Sequence, residues 1–243
     1  MSSAPQSRKK FKISDSLNRQ LNMYALAASA AGVSVLALAG ASEAKIVYTE
    51  THQVTRPGVP LYIDLNHDGI KDFLLRTWFY KGTSGLEVGV YASGYRNADN
   101  VVAGRRFSRS GYFLSAAYAL PAGAVIGPKG NFSVRLPLMA AELFPKDSGS
   151  LYSDLGPWAG RGKGVSDRYL GLKFLVDGEV HYGWARLSVA LGHRRQVGDV
   201  GGTLTGYAYE TVPDKPIVAG QIAGPGVITV QPESLGGLAM GRK

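Results

Sequence analysis

One nine-residue stretch carries oxygen donors at the spacing of a metal loop. In Asp64-Leu65-Asn66-His67-Asp68-Gly69-Ile70-Lys71-Asp72, side-chain oxygens fall at positions 1, 3, 5 and 9, and Gly69 stands at position 6. In a Ca²⁺ loop such side chains converge on one ion, position 7 (here Ile70) offers its backbone carbonyl, and the glycine permits the sharp turn. Asp64, Asp68 and Asp72 also crowd three negative charges together, which is repulsive unless a cation sits among them. Oxygen-only ligands favour Ca²⁺ over Zn²⁺ or Cu²⁺. The full helical Ca²⁺ hand is absent, because position 12 is Leu75 and strand-like sequence flanks both sides. The expectation is a structural Ca²⁺ loop between two β-strands, held by Asp64, Asn66, Asp68, Ile70 and Asp72. The competing reading is a solvated hairpin turn without metal. His67 lies between ligand positions and is expected to face solvent.

A second constellation is aromatic and basic. Val176-Asp177-Gly178-Glu179 centres Asp-Gly in a two-residue turn of the type that matches strand twist. That turn sets a register in which Phe174 faces His181, Lys173 faces Tyr182, Leu172 faces Gly183, Gly171 faces Trp184 and Leu170 faces Ala185. One face then holds Leu170, Leu172, Phe174, Ala185, Leu187 and Val189, a core face. The other holds Tyr169, Lys173, Tyr182, Trp184 and Arg186, with Trp184 able to lie over the bare backbone of Gly171. Lys173, Tyr182, Trp184 and Arg186, joined by Trp158 from another segment, are the candidates for stacking a sugar ring. Equally, this face can pack beneath a second sheet or a loop.

Catalytic signatures are missing from the sequence. There is no His-Glu-x-x-His and no nucleophile elbow, and the four His show no metal-ligand spacing. Glu87, Glu142, Glu179 and Glu210 are available to a glycoside hydrolase, but such carboxylates pair in space and not in sequence. Arg96, Arg105, Arg106 and Arg109 make a basic stretch that reads first as a solvated loop and second as suited to screened attraction to acidic polysaccharide or lipid head groups. No nucleic-acid-binding motif accompanies them. Gly160-Arg161-Gly162-Lys163-Gly164 lacks the Lys-Ser/Thr ending of a phosphate loop.

The elements that must carry these residues read as strands. The chain has 243 residues, 32 of them Gly, with 13 Tyr and 8 Phe, a mix that favours short strands and tight turns. Stretches of this type run over 45–56, 61–64, 72–81, 86–93, 112–118, 132–138, 169–176, 180–191, 203–210 and 217–220. Short strands with Gly, Pro, Asn and Asp between them indicate an all-β fold, a single β-sandwich of jelly-roll-like kind. A helix is possible near Leu138–Leu143. The absence of Cys excludes disulfides and thiol chemistry.

Residues 1–44 read as an address. Arg8, Lys9, Lys10, Lys12 and Arg19 precede an uncharged stretch from Gln20 to Ser42, and Ala41-Ser42-Glu43-Ala44 places small residues before a cut after Ala44. That is the plan of an export signal, with an uncleaved anchor as the alternative. Membrane contact is then transient, through this segment. Lys45 to about Gln221 forms the expected domain, and 222–243 a flexible tail. The chain carries a net charge of +9.

The C-terminal half carries a resemblance. Arg168-Tyr169-Leu170-Gly171-Leu172-Lys173-Phe174, His181-Tyr182-Gly183-Trp184-Ala185-Arg186-Leu187, Gly206-Tyr207-Ala208-Tyr209-Glu210 and Pro213…Ile217-Val218-Ala219-Gly220 resemble exported bacterial proteins that often carry a PEP-CTERM sorting signal. Such proteins also often carry an Asp-x-Asn-x-Asp-Gly segment near the mature start, as at Asp64. The resemblance implies an exported β-rich domain at a bacterial surface, in the periplasm or in extracellular matrix, and no established activity. Pro232-Glu233-Ser234-Leu235-Gly236 resembles the start of the sorting signal, but only Leu235–Gly241 separates it from Arg242-Lys243, too short for a membrane span. A degenerate signal is the expectation. The function expected is therefore that of a non-enzymatic envelope or matrix protein with a calcium loop. Its partner would be an acidic or neutral extracellular polysaccharide. A carbohydrate-binding module is the alternative, and a polysaccharide hydrolase the third reading.

Overall fold

The computed structural model describes residues 45–82, 85–95, 99–109, 112–132, 137–145, 152–191 and 200–230. The expected export segment, the sorting-signal remnant at 231–243 and Arg96 lie outside the described residues, as do the side chains of Arg109 and of positions 133–136 in the strand expected over 132–138.

The fold is an all-β sandwich. With strands numbered along the chain, one sheet runs β15 (Val227–Val230), β1 (Ile46–Thr55), β13 (Gly201–Glu210), β12 (Glu179–Ala190), β11 (Val165–Val176), β5 (Val101–Val102). The other runs β2 (Leu61–Ile63), β3 (Phe73–Gly82), β4 (Gly85–Gly94), β9 (Leu138–Pro145), β7 (Tyr112–Ala117), β6 (Gly104–Arg109), with β10 (Tyr152–Leu155) also pairing β9. A two-stranded ribbon, β8 (Val125–Ile126) with β14 (Ile217–Val218), completes the set.

Alternation builds the core between the sheets. Phe73 and Leu75 of β3 and Val88 and Val90 of β4 meet Leu170, Leu172 and Phe174 of β11 and Ala185 and Leu187 of β12 in one buried cluster. The Phe73 and Phe174 rings lie 6.4 Å apart at 63°, an edge-on contact across the sandwich. The β11–β12 register is the expected one at every pair named above. Its turn has positive φ at both centres, 51° at Asp177 and 85° at Gly178, as the two-residue hairpin requires.

Three expectations are corrected. Residues 138–143 are not helical: they lie in β9, paired to β4 on one side and β7 on the other. Leu, Met, Ala and Glu favour a helix locally, but Pro137 and Pro145 bracket the run and pairing inside a sheet overrides propensity. The domain does not end near Gln221. Strand β15 pairs in parallel with β1, Ile46 against Val227 through Thr49 against Val230, and Ile46 N–H donates to the Gly226 carbonyl at 2.8 Å. Finally, the atoms nearest to where a Gly171 Cβ would stand belong to Ala103, Leu120 and Ile126, ahead of Trp184.

Candidate metal centre

The 64–72 loop joins β2 to β3. These strands pair Ile63 with Phe73, and Asp72 N–H donates to the Ile63 carbonyl at 2.8 Å, so the loop closes at its base. Leu65 turns inward and is buried in the main core. Gly183 on β12 makes room for it: a Cβ there would stand 2.9 Å from Leu65 Cδ2. His67 is exposed, as expected, but its ring is tethered. Its Nε2 lies 2.7 Å from Thr49 Oγ1 of β1, and its ring centroid 5.8 Å from that of Tyr207 on β13. A loop belonging to one sheet is thus pinned to strands of the other.

Hydrogen bonds within the loop bend it around its acidic side chains. Gly69 N–H donates to Asp64 Oδ2 at 3.0 Å, and Ile70 N–H to Asp68 Oδ1 at 2.7 Å. Asn66 Nδ2 donates to Asp68 Oδ2 at 2.9 Å. Because a carboxylate only accepts, that bond fixes the amide orientation and turns Asn66 Oδ1 the other way. Gly69 takes φ of 87°, where a side chain would be strained.

Two oxygens are left over. Asp64 Oδ1 and Asn66 Oδ1 are buried and have no hydrogen-bond partner. An orphaned buried acceptor costs about 1–3 kcal/mol, and a cation between these two would satisfy both. The ammonium of Lys71 lies 3.7 Å from Asp64 Oδ2, and half of its side chain is exposed. His67 is pushed below its ordinary pKa by burial, against the opposing charge of Asp64.

Asp72 stands apart from the other carboxylates. It is buried, its Oδ2 accepts from Leu65 N–H at 2.7 Å, and its Oδ1 faces Asn100 Nδ2 at 3.3 Å. Burial pushes its pKa up to about 6, helped by the charges of Asp68 and Asp64 and opposed by the Leu65 and Asn100 hydrogen bonds. The structure therefore bonds Asn66 to Asp68, turns Asp64 onto the Gly69 N–H and sets Asp72 at the loop's base, while the Ile70 side chain is exposed. Among the described residues, no three His, Cys, Asp or Glu side chains gather closely enough to hold a metal by themselves. A bound ion here would need carbonyl or water oxygens to complete its shell.

Asn100 is a residue the sequence reading missed. Buried ahead of β5, it also donates to the Asp72 carbonyl at 3.3 Å and accepts from Leu175 N–H of β11 at 3.2 Å. It ties the loop's base to the opposite sheet. A lone Asn with no motif around it gives no sequence signal for this.

The aromatic face expected to bind sugar is covered. Trp184 and Trp158 have no exposed surface, and Tyr182 is also buried. Trp184 packs edge-on against Tyr169 at 5.2 Å and beside Tyr48 at 5.8 Å, in a second apolar cluster that includes Ile126 of β8 and Ile217 of β14. The ribbon thus lies over the face that the hairpin turns away from the main core. Trp158 belongs to the main core, and its backbone N–H donates to the Met139 carbonyl at 3.0 Å. Arg186 is held by Thr205 of β13, Nε to Oγ1 at 2.8 Å. Of the five, Lys173 and Tyr182 border a cleft, beside Phe132.

The glutamates occupy different settings. Glu142 shares a face with Val88, its register partner, whereas Glu87 pairs with Leu143 and so projects from the opposite face. Glu210 is buried and bonded to Lys215 Nζ at 3.2 Å and Val212 N–H at 3.1 Å. Glu179 is exposed beside the hairpin turn. Arg105 and Arg106 are exposed on β6.

Fold and loop together describe an all-β sandwich with an oxygen-rich loop pinned across its sheets. No family model, no curated protein and no solved structure matches this chain.

Proposed function

We propose that this chain is an exported, non-enzymatic protein of the bacterial cell envelope or extracellular matrix in which the 64–72 loop binds one structural Ca²⁺. The observation that carries the reading is the pair of buried oxygens without partners, Asp64 Oδ1 and Asn66 Oδ1, in a loop whose other acidic oxygens are occupied. The export plan of residues 1–44 and the resemblance at 168–220 support the location. Calcium is plentiful outside cells, so a loop tied to both sheets makes the stability of the sandwich depend on that environment.

Thermal unfolding of residues 45–243 in EDTA and in millimolar Ca²⁺ tests this. A ligand bound only by the folded state at 100 times its Kd adds about 2.7 kcal/mol, which for a domain of this size raises Tm by roughly 5–10 °C. The rise should vanish in Asp64→Ala/Asp68→Ala. An unchanged Tm, or a rise that the double variant keeps, would leave the loop a plain turn.

A further inference from the structure

Outside the calcium loop, the structure holds a cleft of about 550 Å³ where the segment 128–132 stands against β11 and β12, bordered by Lys129, Asn131, Phe132, Lys173 and Tyr182. Its wall is built and not incidental. Gly104 N–H donates to the Asn131 carbonyl at 2.9 Å and Gly130 N–H to the Gly127 carbonyl at 2.8 Å. A Cβ on Gly130 would stand 2.7 Å from Phe132 Cε2, so the glycine lets that ring settle. Phe132 then lies 5.7 Å from the Tyr182 ring, and Lys173 Nζ sits 5.9 Å from the centre of the Phe132 ring.

The charged side chains bordering this cleft are basic. Lys129 and Lys173 both border it, and among the described residues neither is paired with a carboxylate. Lys173 is half-buried, which makes an unpaired ammonium more costly than at the open surface. The charge of Asp214 adds to burial in raising the Tyr182 pKa, but Asp214 does not border the cleft. Two ammonium groups bordering one cleft with an amide and an aromatic ring suit a ligand that is anionic at one end and has an apolar ring face at the other.

We propose that this cleft binds a carboxylate-bearing pyranose, a uronate unit of an acidic polysaccharide, with Lys129 and Lys173 holding the carboxylate and Phe132 meeting the sugar ring. The choice of a polysaccharide as partner rests on the envelope reading above; the charge imbalance of the cleft does not. Lys173 thus keeps a ligand role, with Tyr182 packed against Phe132, after Trp184 and Trp158 have lost theirs to the core.

Calorimetric titration of the full chain with a galacturonate tetramer, in EDTA, is the test. Binding is expected at sub-millimolar concentration. It should weaken with added salt, and about tenfold or more for each of Lys129→Met and Lys173→Met, the equivalent of one lost charge-assisted hydrogen bond. Lys129 is exposed, so its variant keeps the test valid even where Lys173→Met fails to fold. Asp64→Ala/Asp68→Ala should bind the tetramer as the parent does, so that failure of the calcium reading and failure of this one are told apart. Absence of binding up to millimolar overturns the proposal. So does equal binding of a neutral maltotetraose, equal binding by the lysine variants, or competition by inorganic phosphate at the same concentration as the uronate.

Discussion

Lys71 and Asp72, adjacent in sequence, hold the two charges that decide how the loop answers to a cation and to pH. The Lys71 ammonium lies 3.7 Å from Asp64 Oδ2, so a metal arriving at Asp64 competes with it. Replacing Lys71 by Ala should tighten Ca²⁺ binding. Exposed ion pairs are worth about 0.2–1 kcal/mol, so the gain expected in calorimetric titration is up to roughly fivefold, and weaker binding would contradict the competition. Asp72 acts through protonation. Its pKa in the fold is about 6 against 3.8 ordinarily, raised chiefly by burial. Because burial penalises the ionised carboxylate in the fold, this acid costs stability once pH forces it to ionise there. Its contribution is therefore complete below about pH 4 and lost as pH climbs through about 6, on the order of 3 kcal/mol in all. His67, lowered by burial, works in the opposite sense nearby. The clean readout is the difference in stability between the parent and Asp72→Asn in EDTA. That difference should move against the parent from pH 4 to 7 and shrink when Ca²⁺ is added, since a cation stabilises the ionised carboxylate. A flat difference would mean that burial does not hold the Asp72 proton.

At the scale of elements, the hairpin β11–β12 and the ribbon β8–β14 show what local sequence can and cannot say. The hairpin was legible because Asp177-Gly178 fixes a register by itself, and period-two alternation then assigns every side chain to a face. The spacing of Asp64, Asn66, Asp68 and Gly69 was legible for the same reason: the loop bends through its own hydrogen bonds. What lies over the second face was not, because Ile126 and Ile217 come from segments far apart in the chain, and each strand of the ribbon is only two residues long. Strand β9 was obscured by a helix-favouring composition that only its neighbours β4 and β7 overrule, and Asn100 by having no pattern around it. The burial of Trp184 makes a definite prediction. Trp184→Ala should lower unfolding stability by about 3–5 kcal/mol in urea, as expected for removing a large buried aromatic. A variant that folds with the parent's stability would show that the ribbon does not cover this face.

For the whole molecule, the critical join is where the two ends of the described chain meet. Strand β1 opens at Ile46, just after the expected cleavage point, and its outer edge is held by β15, the last described strand. Those four residues reach both apolar clusters: Val230 packs against the main core and Val227 against the cluster around Trp184. Without β15, the backbone of 46–49 would be an open edge with Ile46, Val47 and Tyr48 beside it, a template for pairing with another chain. A chain of 45–221 should therefore behave differently from one of 45–230. Losing the parallel ladder and two partly buried valines should remove roughly 2–4 kcal/mol, lowering Tm by several degrees. The shorter chain should also self-associate in size-exclusion chromatography at concentrations where the longer one runs as a single small species. Equal Tm and equal elution would mean that β15 merely rests on the sheet. A lowered Tm with association is the outcome that follows from a sandwich whose first strand has its open edge closed by its last.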